Sequence, residues 1–179
     1  SEHRALLVNL FDLEHITVED IMTPRGEIES INIAAPLDEI NDKLATSFHT
    51  RLPVYEGDPG NIIGIIHMRR MVGLALGGIL NQDVLRQEMA APYFIPAETQ
   101  AYDQLRFFRE NRQRLGLVVD EYGELLGLVT IDDIIEEIVG KFTTSMPGSD
   151  AAVRWDAAGE TLVDGSHSLR EINRLLDIS

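Results

Sequence analysis

Two stretches of this chain share one pattern of apolar and polar positions: LPVYEGDPGNIIGIIHMRRMV from Leu52 and LGLVVDEYGELLGLVTIDDII from Leu115, 63 positions apart (115 − 52). In each, an apolar strand-like run meets a glycine-containing turn (Gly60, Gly123). A second apolar run carrying a glycine (Gly64, Gly127) follows, and then a segment with helical spacing. The flanking pattern extends the plan. IESINI reads as a strand, and Pro36 opens a helix with apolar positions at Leu37, Ile40, Leu44 and Phe48. YFI and AYDQLRFFREN repeat that order, with Tyr102, Leu105 and Phe108 expected on one helical face. Each copy is therefore a β-α-β-β-α unit, and the fold class is α/β.

The margins carry less. Residues 4–11 (RALLVNLF) read as an entering amphipathic helix, and Thr17 with Glu19 and Asp20 starts a short helix that ends before Pro24. The glycine pair in LALGGIL reads as a flexible break between the copies. KFTTSMPGSDAA is polar and aperiodic, and VRWD, ETLVDG and SLREINRLL suggest two strands and a helix too small for a core of their own. The expected boundaries are 1–16 for an entering helix and linker, 17–78 and 79–140 for the two units, 141–152 for a linker and 153–179 for a partial α+β segment.

Length and charge then narrow the function. With 179 residues and 44 % hydrophobic content the chain can bury a sizeable core, and it is expected to be soluble. Thirty acidic residues against 15 basic ones give a net charge of −15, which works against general nucleic-acid binding because nothing replaces the phosphate counterions. The absence of cysteine removes disulfides, thiolate metal sites and a cysteine nucleophile. The longest apolar run, MVGLALGGIL, is about half of what a membrane span needs. With Ser first and a stop just after an apparent helix, the chain reads as a fragment of a longer protein.

The sharpest chemistry lies in GLVTIDD. A strand ending in Thr130, with Asp133 in the first turn of the next helix, directs a hydroxyl and a carboxylate toward the strand's end, a pair suited to a ribose diol. The alternative is that Thr130 caps the helix while Asp132 and Asp133 complement its dipole. The first copy carries His67 and Arg70 at the matched positions, and a guanidinium cannot accept a hydrogen bond from a diol, so the two clefts should be chemically unequal. In DDIIEEI, Asp132 with Glu136 and Asp133 with Glu137 share helical faces that would suit Mg²⁺, or simply form a solvated acidic face. The five histidines (His3, His15, His49, His67, His167) have no zinc spacing, and there is no phosphate loop or serine-nucleophile motif.

Two such units ending in G-h-h-T-x-x-D resemble a tandem CBS-domain pair, from about Val18 to Gly140. VVDEYGELLGLVTIDDIIEEIVG, EDIMTPR and TRLPVY narrow the resemblance to the CorC/HlyC (cyclin M-like) family of magnesium and cobalt transporters, and 153–179 would begin its C-terminal associated domain. The resemblance implies a non-catalytic cytosolic regulatory module on the membrane's cytoplasmic face, preceded by a membrane domain and paired as a homodimer. It also implies a site for AMP or ATP as regulatory ligand, with or without Mg²⁺ on the phosphates. Carried over to this chain, that site uses Thr23 of IMTP for adenine, His49, then Thr50, Arg51 and Pro53 of TRLP, and Thr130 and Asp133. Arg51 would meet phosphates and Asp133 the ribose. One nucleotide per chain is expected. Two other classes stay open: a dimerisation or protein-interaction module with a vestigial cleft, and an accessory domain of a CBS-containing enzyme. DEYG places Tyr122 in a hairpin turn, as a structural or dimer-surface residue.

Overall fold

The computed structural model describes residues 15–144 together with the strands 153–155 and 161–163. The expectations for residues 4–11 and for SLREINRLL lie outside the described residues. Residues 15–135 belong to one compact unit, and the described residues from Glu136 onward belong to another. No helix among the described residues is long and apolar enough to cross a membrane.

The first copy runs through α1 (Val18–Ile21), β1 (Thr23–Pro24), a 3₁₀ turn (Arg25–Glu27), β2 (Ile31–Asn32), α2 (Leu37–Thr46), β3 (Arg51–Tyr55), β4 (Ile62–His67) and α3 (Met68–Leu76). The second has α4 (Gln82–Glu88), β5 (Phe94–Pro96), α5 (Ala101–Glu110), β6 (Leu115–Val119), β7 (Leu125–Thr130) and α6 (Ile131–Thr144). Beyond it, β8 (Val153–Trp155) and β9 (Thr161–Val163) pair antiparallel, with Val153 opposite Val163.

The pairing register corrects the spacing of the repeat. Arg51 pairs with His67 in the first copy and Leu115 with Thr130 in the second, so the first strands are offset by 64 (115 − 51) and the second strands by 63 (130 − 67). The helices agree: α2 and α5 start 64 apart (101 − 37), α3 and α6 63 apart (131 − 68). The difference is one residue in the hairpin, six positions (56–61) against five (120–124). A one-residue slip along a strand exchanges its two faces. Arg51 therefore corresponds to the buried Leu115 and not to Arg114. Both copies keep a bulge at the same place, between Val54 and Tyr55 and between Val118 and Val119.

Each sheet borrows its edge from the segment that precedes the other copy. β1 joins the second copy's sheet, in the order β1-β7-β6-β5, with Thr23 opposite Leu128 and Pro24 opposite Gly127. In the first copy's sheet, β2-β3-β4, the matching position at Ile65 is taken by a bridge to Ala90. The same exchange continues upstream, where the Val18 amide donates to Thr99 O at 2.9 Å and the Ala101 amide to Ile16 O at 2.8 Å. Close approach at two glycines makes it possible, because Gly64 lies against Met89 and Gly127 against Met22.

The first copy's core gathers Ile31, Ile33, Leu52, Val54, Ile66, Met71 and Leu85 between its sheet and helices. Ile62 and Ile65 form a second cluster with Leu115, Leu117 and Leu125, which joins the two copies. Full burial of side chains of this size contributes roughly 1.5–3 kcal/mol each.

Several sequence expectations change. Phe48 is fully exposed, because α2 ends at Thr46 and the chain is extended at Ser47. Tyr102 is 60 % exposed, and the buried face of α5 is instead Ala101, Gln104, Leu105 and Phe108. IESINI contributes only Ile31 and Asn32 to the sheet, and its first residue, Ile28, instead closes the 3₁₀ turn by donating its amide to Arg25 O. The glycine pair is an ordered turn, in which Gly78 has φ +68° and Asn81 caps α4 by accepting the Val84 amide at 2.9 Å. α6 continues through Lys141–Thr144, past the expected start of the linker.

Candidate functional site

The end of β7 and the start of α6 are held by a reciprocal pair of hydrogen bonds. The Thr130 amide donates to Asp133 Oδ2 at 2.9 Å, and the Asp133 amide donates to Thr130 Oγ1 at 3.2 Å. This is a capping box, and its cause is local: a hydroxyl and a carboxylate three residues apart satisfy amides that a helix start leaves without partners. The same arrangement recurs at T-x-x-D elsewhere in the chain. There, Thr17 N donates to Asp20 Oδ2 at 2.9 Å. The spacing alone therefore folds as a cap, as the alternative reading of Thr130 and Asp133 held.

Capping leaves part of each group's capacity unused. Asp133 Oδ1 has no partner among the described residues, and the Thr130 hydroxyl proton is still available to donate. Both residues are half-buried. β1 lies along the same strand, so Thr23, also half-buried, sits beside β7 at Leu128, two residues before Thr130. The exchange of edges thus brings a first-copy residue to the second copy's site.

Of the other expected residues, Arg51 and Pro53 lie on the first copy's sheet, and His49 and Thr50 on the segment leading into it. Arg51 opens β3 opposite His67, is half-buried, and has no ion-pair partner among the described residues. The Thr50 carbonyl accepts the Met68 amide at 2.9 Å, as the Arg114 carbonyl accepts that of Ile131 at 3.0 Å. Pro53 is buried opposite Ile65. His49 is exposed, with Nε2 3.3 Å from Glu29 Oε2. The structure places Thr23 and Thr130 on one sheet, with Asp133 in the helical turn that follows it, and Arg51 with His67 on the other.

At the first copy's matched position the chemistry is reversed. Arg70 spans to Glu88 at the end of α4 with two hydrogen bonds, Nε to Oε2 at 3.0 Å and Nη2 to Oε1 at 3.2 Å. These bonds hold the Glu88 carboxyl below the usual carboxylate range and push the Arg70 guanidinium up from its ordinary value. An open depression of about 500 Å³ lies here, lined by His67, Arg69, Arg70, Gly73 and Leu74. The concavity is shallow and exposed, so side-chain chemistry rather than its volume identifies the candidate site at Thr130 and Asp133.

Sequence reasoning missed two features. Helix α4, which supplies Glu88, was signalled by Asn81 as a cap with Asp83 in the first turn. The second had no local signal: Arg25 bridges the hairpin turns of both copies, 3.0 Å from Asp58 and 4.0 Å from Glu124. Tyr122 stands in that second turn, 85 % exposed. No cluster of three or more His, Asp or Glu that could hold a metal ion is present among the described residues.

Comparison with known proteins gives a consistent picture. The CBS domain family model matches residues 18–77 and 83–140. A UPF0053 protein of Haemophilus influenzae is 40 % identical over 179 residues, covering 98 % of this chain and 43 % of the relative. The UPF0053 inner membrane protein YfjD of Escherichia coli is 37 % identical, over 94 % of this chain and 40 % of its own length. This chain spans less than half the length of these relatives. A CBS-domain pair with bound AMP from Klebsiella pneumoniae matches with TM-score 0.66 and 36 % identity, over 70 % of this chain and 99 % of that one. The CBS domain of a bacterial CNNM/CorC family Mg²⁺ transporter in complex with ATP matches with TM-score 0.68 and 30 % identity, over 78 % and 99 %.

Proposed function

The chain belongs to the CBS-domain family, as a tandem pair whose relatives include UPF0053 and hemolysin C proteins of the CorC/HlyC group, and from that premise we propose that it is the adenine-nucleotide-binding regulatory module of a membrane-bound Mg²⁺ or Co²⁺ transporter. In this role Asp133 accepts from the ribose hydroxyls through Oδ1, and Thr130 donates to ribose or the α-phosphate. Thr23 and its backbone meet adenine. Arg51 offers a guanidinium fork to the phosphates, with Thr50, Pro53 and His49 around it.

The observation that carries the proposal is the capping box. It fixes Thr130 and Asp133 in place while leaving one carboxylate oxygen and one hydroxyl proton unspent. Solved relatives with AMP or ATP bound support the ligand class. Mg²⁺ would accompany the phosphates, since it usually keeps water and phosphate ligands. Regulation requires that the nucleotide favour one arrangement of the module over another. The module would act from the cytoplasmic face on the membrane part of the full-length protein, and it performs no catalytic step.

Calorimetric titration with AMP, ADP and ATP tests the proposal. The wild type should bind at least one of them and Asp133→Ala should not; a wild type that binds none at millimolar concentration overturns it. A second role is favoured by Val72 and Leu76, exposed four residues apart on α3, as an apolar face for pairing with a second copy. Sedimentation of Leu76→Glu against wild type tests this homodimer independently of the nucleotide.

A further inference from the structure

We propose that the depression at the start of α3 is a second binding site, for a small multiply charged oxyanion of the phosphate class, and that Glu88 masks it from within the chain. The site shares no residue with the proposed nucleotide cleft, although His67 stands opposite Arg51, and its residues occupy the matched positions of the first copy. There, His67 replaces Thr130 and Arg70 replaces Asp133, so the groups that suit a diol are exchanged for groups that suit an anion.

Three observations converge on this assignment. His67, Arg69 and Arg70 together line the cavity, in a chain whose net charge is −15. Arg69 has no ion-pair partner among the described residues, so its charge is uncommitted. Most directly, a carboxylate already occupies the guanidinium fork: Glu88 meets Arg70 with both oxygens, the two-point geometry by which a phosphate also binds arginine. The α3 start adds to this field, because His67 provides no side-chain cap there, unlike Thr130 at α6.

Glu88 is an internal competitor that can be displaced. The pair is solvent-exposed, with Arg70 62 % and Glu88 30 % accessible, and exposed ion pairs are weak. An oxyanion with more charge than a carboxylate, also met by Arg69 and His67, should displace it. Glu88 is the last residue of α4, so displacement would free the end of that helix from α3.

Inorganic pyrophosphate titrated into wild type, Glu88→Gln, Arg70→Gln and the double variant tests the proposal by calorimetry. Melting curves check that all four fold. Removing the competitor should tighten pyrophosphate binding at least about fivefold, and Arg70→Gln should abolish binding in both backgrounds, so that the two effects do not add. Equal affinity of wild type and Glu88→Gln, a gain that survives Arg70→Gln, or no binding by any protein at millimolar concentration each overturns it. ATP should not bind Asp133→Ala, because the site takes a free oxyanion; ATP binding there that Arg70→Gln removes overturns that choice of ligand. Failure here leaves the Asp133-dependent binding of AMP untouched.

Discussion

Met22 and Gly127 touch so closely that no side chain fits between them: a Cβ on Gly127 would stand 2.5 Å from Met22 Sδ and 2.5 Å from the backbone oxygen of Thr23. Gly64 stands in the same relation to Met89, but there the three nearest atoms all belong to the methionine side chain. Alanine should therefore act unequally at the two positions. Rotation of Met89 can carry its Sδ and Cγ away from Gly64→Ala and leaves only its Cβ, at 2.9 Å, to shift slightly, whereas Gly127→Ala must move the β1 backbone. Overpacking of that kind costs roughly 1–3 kcal/mol, so denaturant unfolding should find Gly127→Ala the more destabilised of the two. Because β1 carries Thr23, Gly127→Ala should also weaken nucleotide binding, and Gly64→Ala should not.

The two capping boxes allow helix capping to be separated from ligand binding. Asp20→Ala and Asp133→Ala each remove the carboxylate of a T-x-x-D cap, and loss of a cap costs about 0.5–2 kcal/mol. Both variants should lose stability on that scale in chemical denaturation. Only Asp133→Ala should lose nucleotide affinity in calorimetry. Equal loss of affinity in the two would mean that the Asp133 effect is structural.

Acid should release the Arg70–Glu88 pair. Arg70 depresses the Glu88 pKa in the fold, so the unfolded chain binds more protons there than the folded chain over the window between the two values. The pair's contribution is full above the ordinary glutamate value of about 4.3 and is lost as pH falls through the lower folded value. Arg70 is raised, so its side of the linkage is lost only at strongly alkaline pH. Stability of wild type relative to Glu88→Gln, followed by denaturant unfolding from about pH 6 down to about pH 3, should narrow toward zero. A difference constant across that range would contradict the assignment.

The order of elements was legible because apolar period and turn residues both report local structure: LPVY, NIIGII, LGLVV and LLGLVT became strands, within a residue of their ends. The exchange of edges was not legible, since a two-residue strand such as β1 has no period of its own and is defined by the glycine it packs on. The offset change from 64 to 63 escaped for a related reason. Leu52 and Leu115 match by identity, while hydrogen-bond register places Leu52 level with Gly116. Polar residues at core positions misled the pattern in the other direction. Gln104 replaces the first copy's Ile40 (104 − 40 = 64) and is buried, its Nε2 3.4 Å from the Tyr93 hydroxyl, while Tyr102 beside it faces water. At the site, the resemblance named Thr23, His49, Thr50, Arg51, Pro53, Thr130 and Asp133 together; β1–β7 pairing brings Thr23 beside the strand that ends at Thr130, while Arg51 and Pro53 lie on the other sheet. That Arg70 is already engaged by Glu88 depended on a helix the pattern had not suggested.

Stoichiometry is the sharpest consequence of the unequal copies. A ribose clamp needs an acceptor at the helix start, and only the second copy supplies one, since Arg70 donates and is already bonded to Glu88. The adenine side is unequal as well, because the position matched to Thr23, opposite Ile65, is Ala90 with no side-chain hydroxyl. Calorimetry of the wild type should therefore give one nucleotide per chain. Arg70→Asp restores an acceptor but places it beside Glu88, where like charges repel, so it should not create a second nucleotide site. Arg70→Asp combined with Glu88→Gln removes the repulsion and should raise the stoichiometry toward two. Two nucleotides bound to the wild type would show that the clamp at Asp133 is dispensable, and the asymmetry of the copies would then have another purpose.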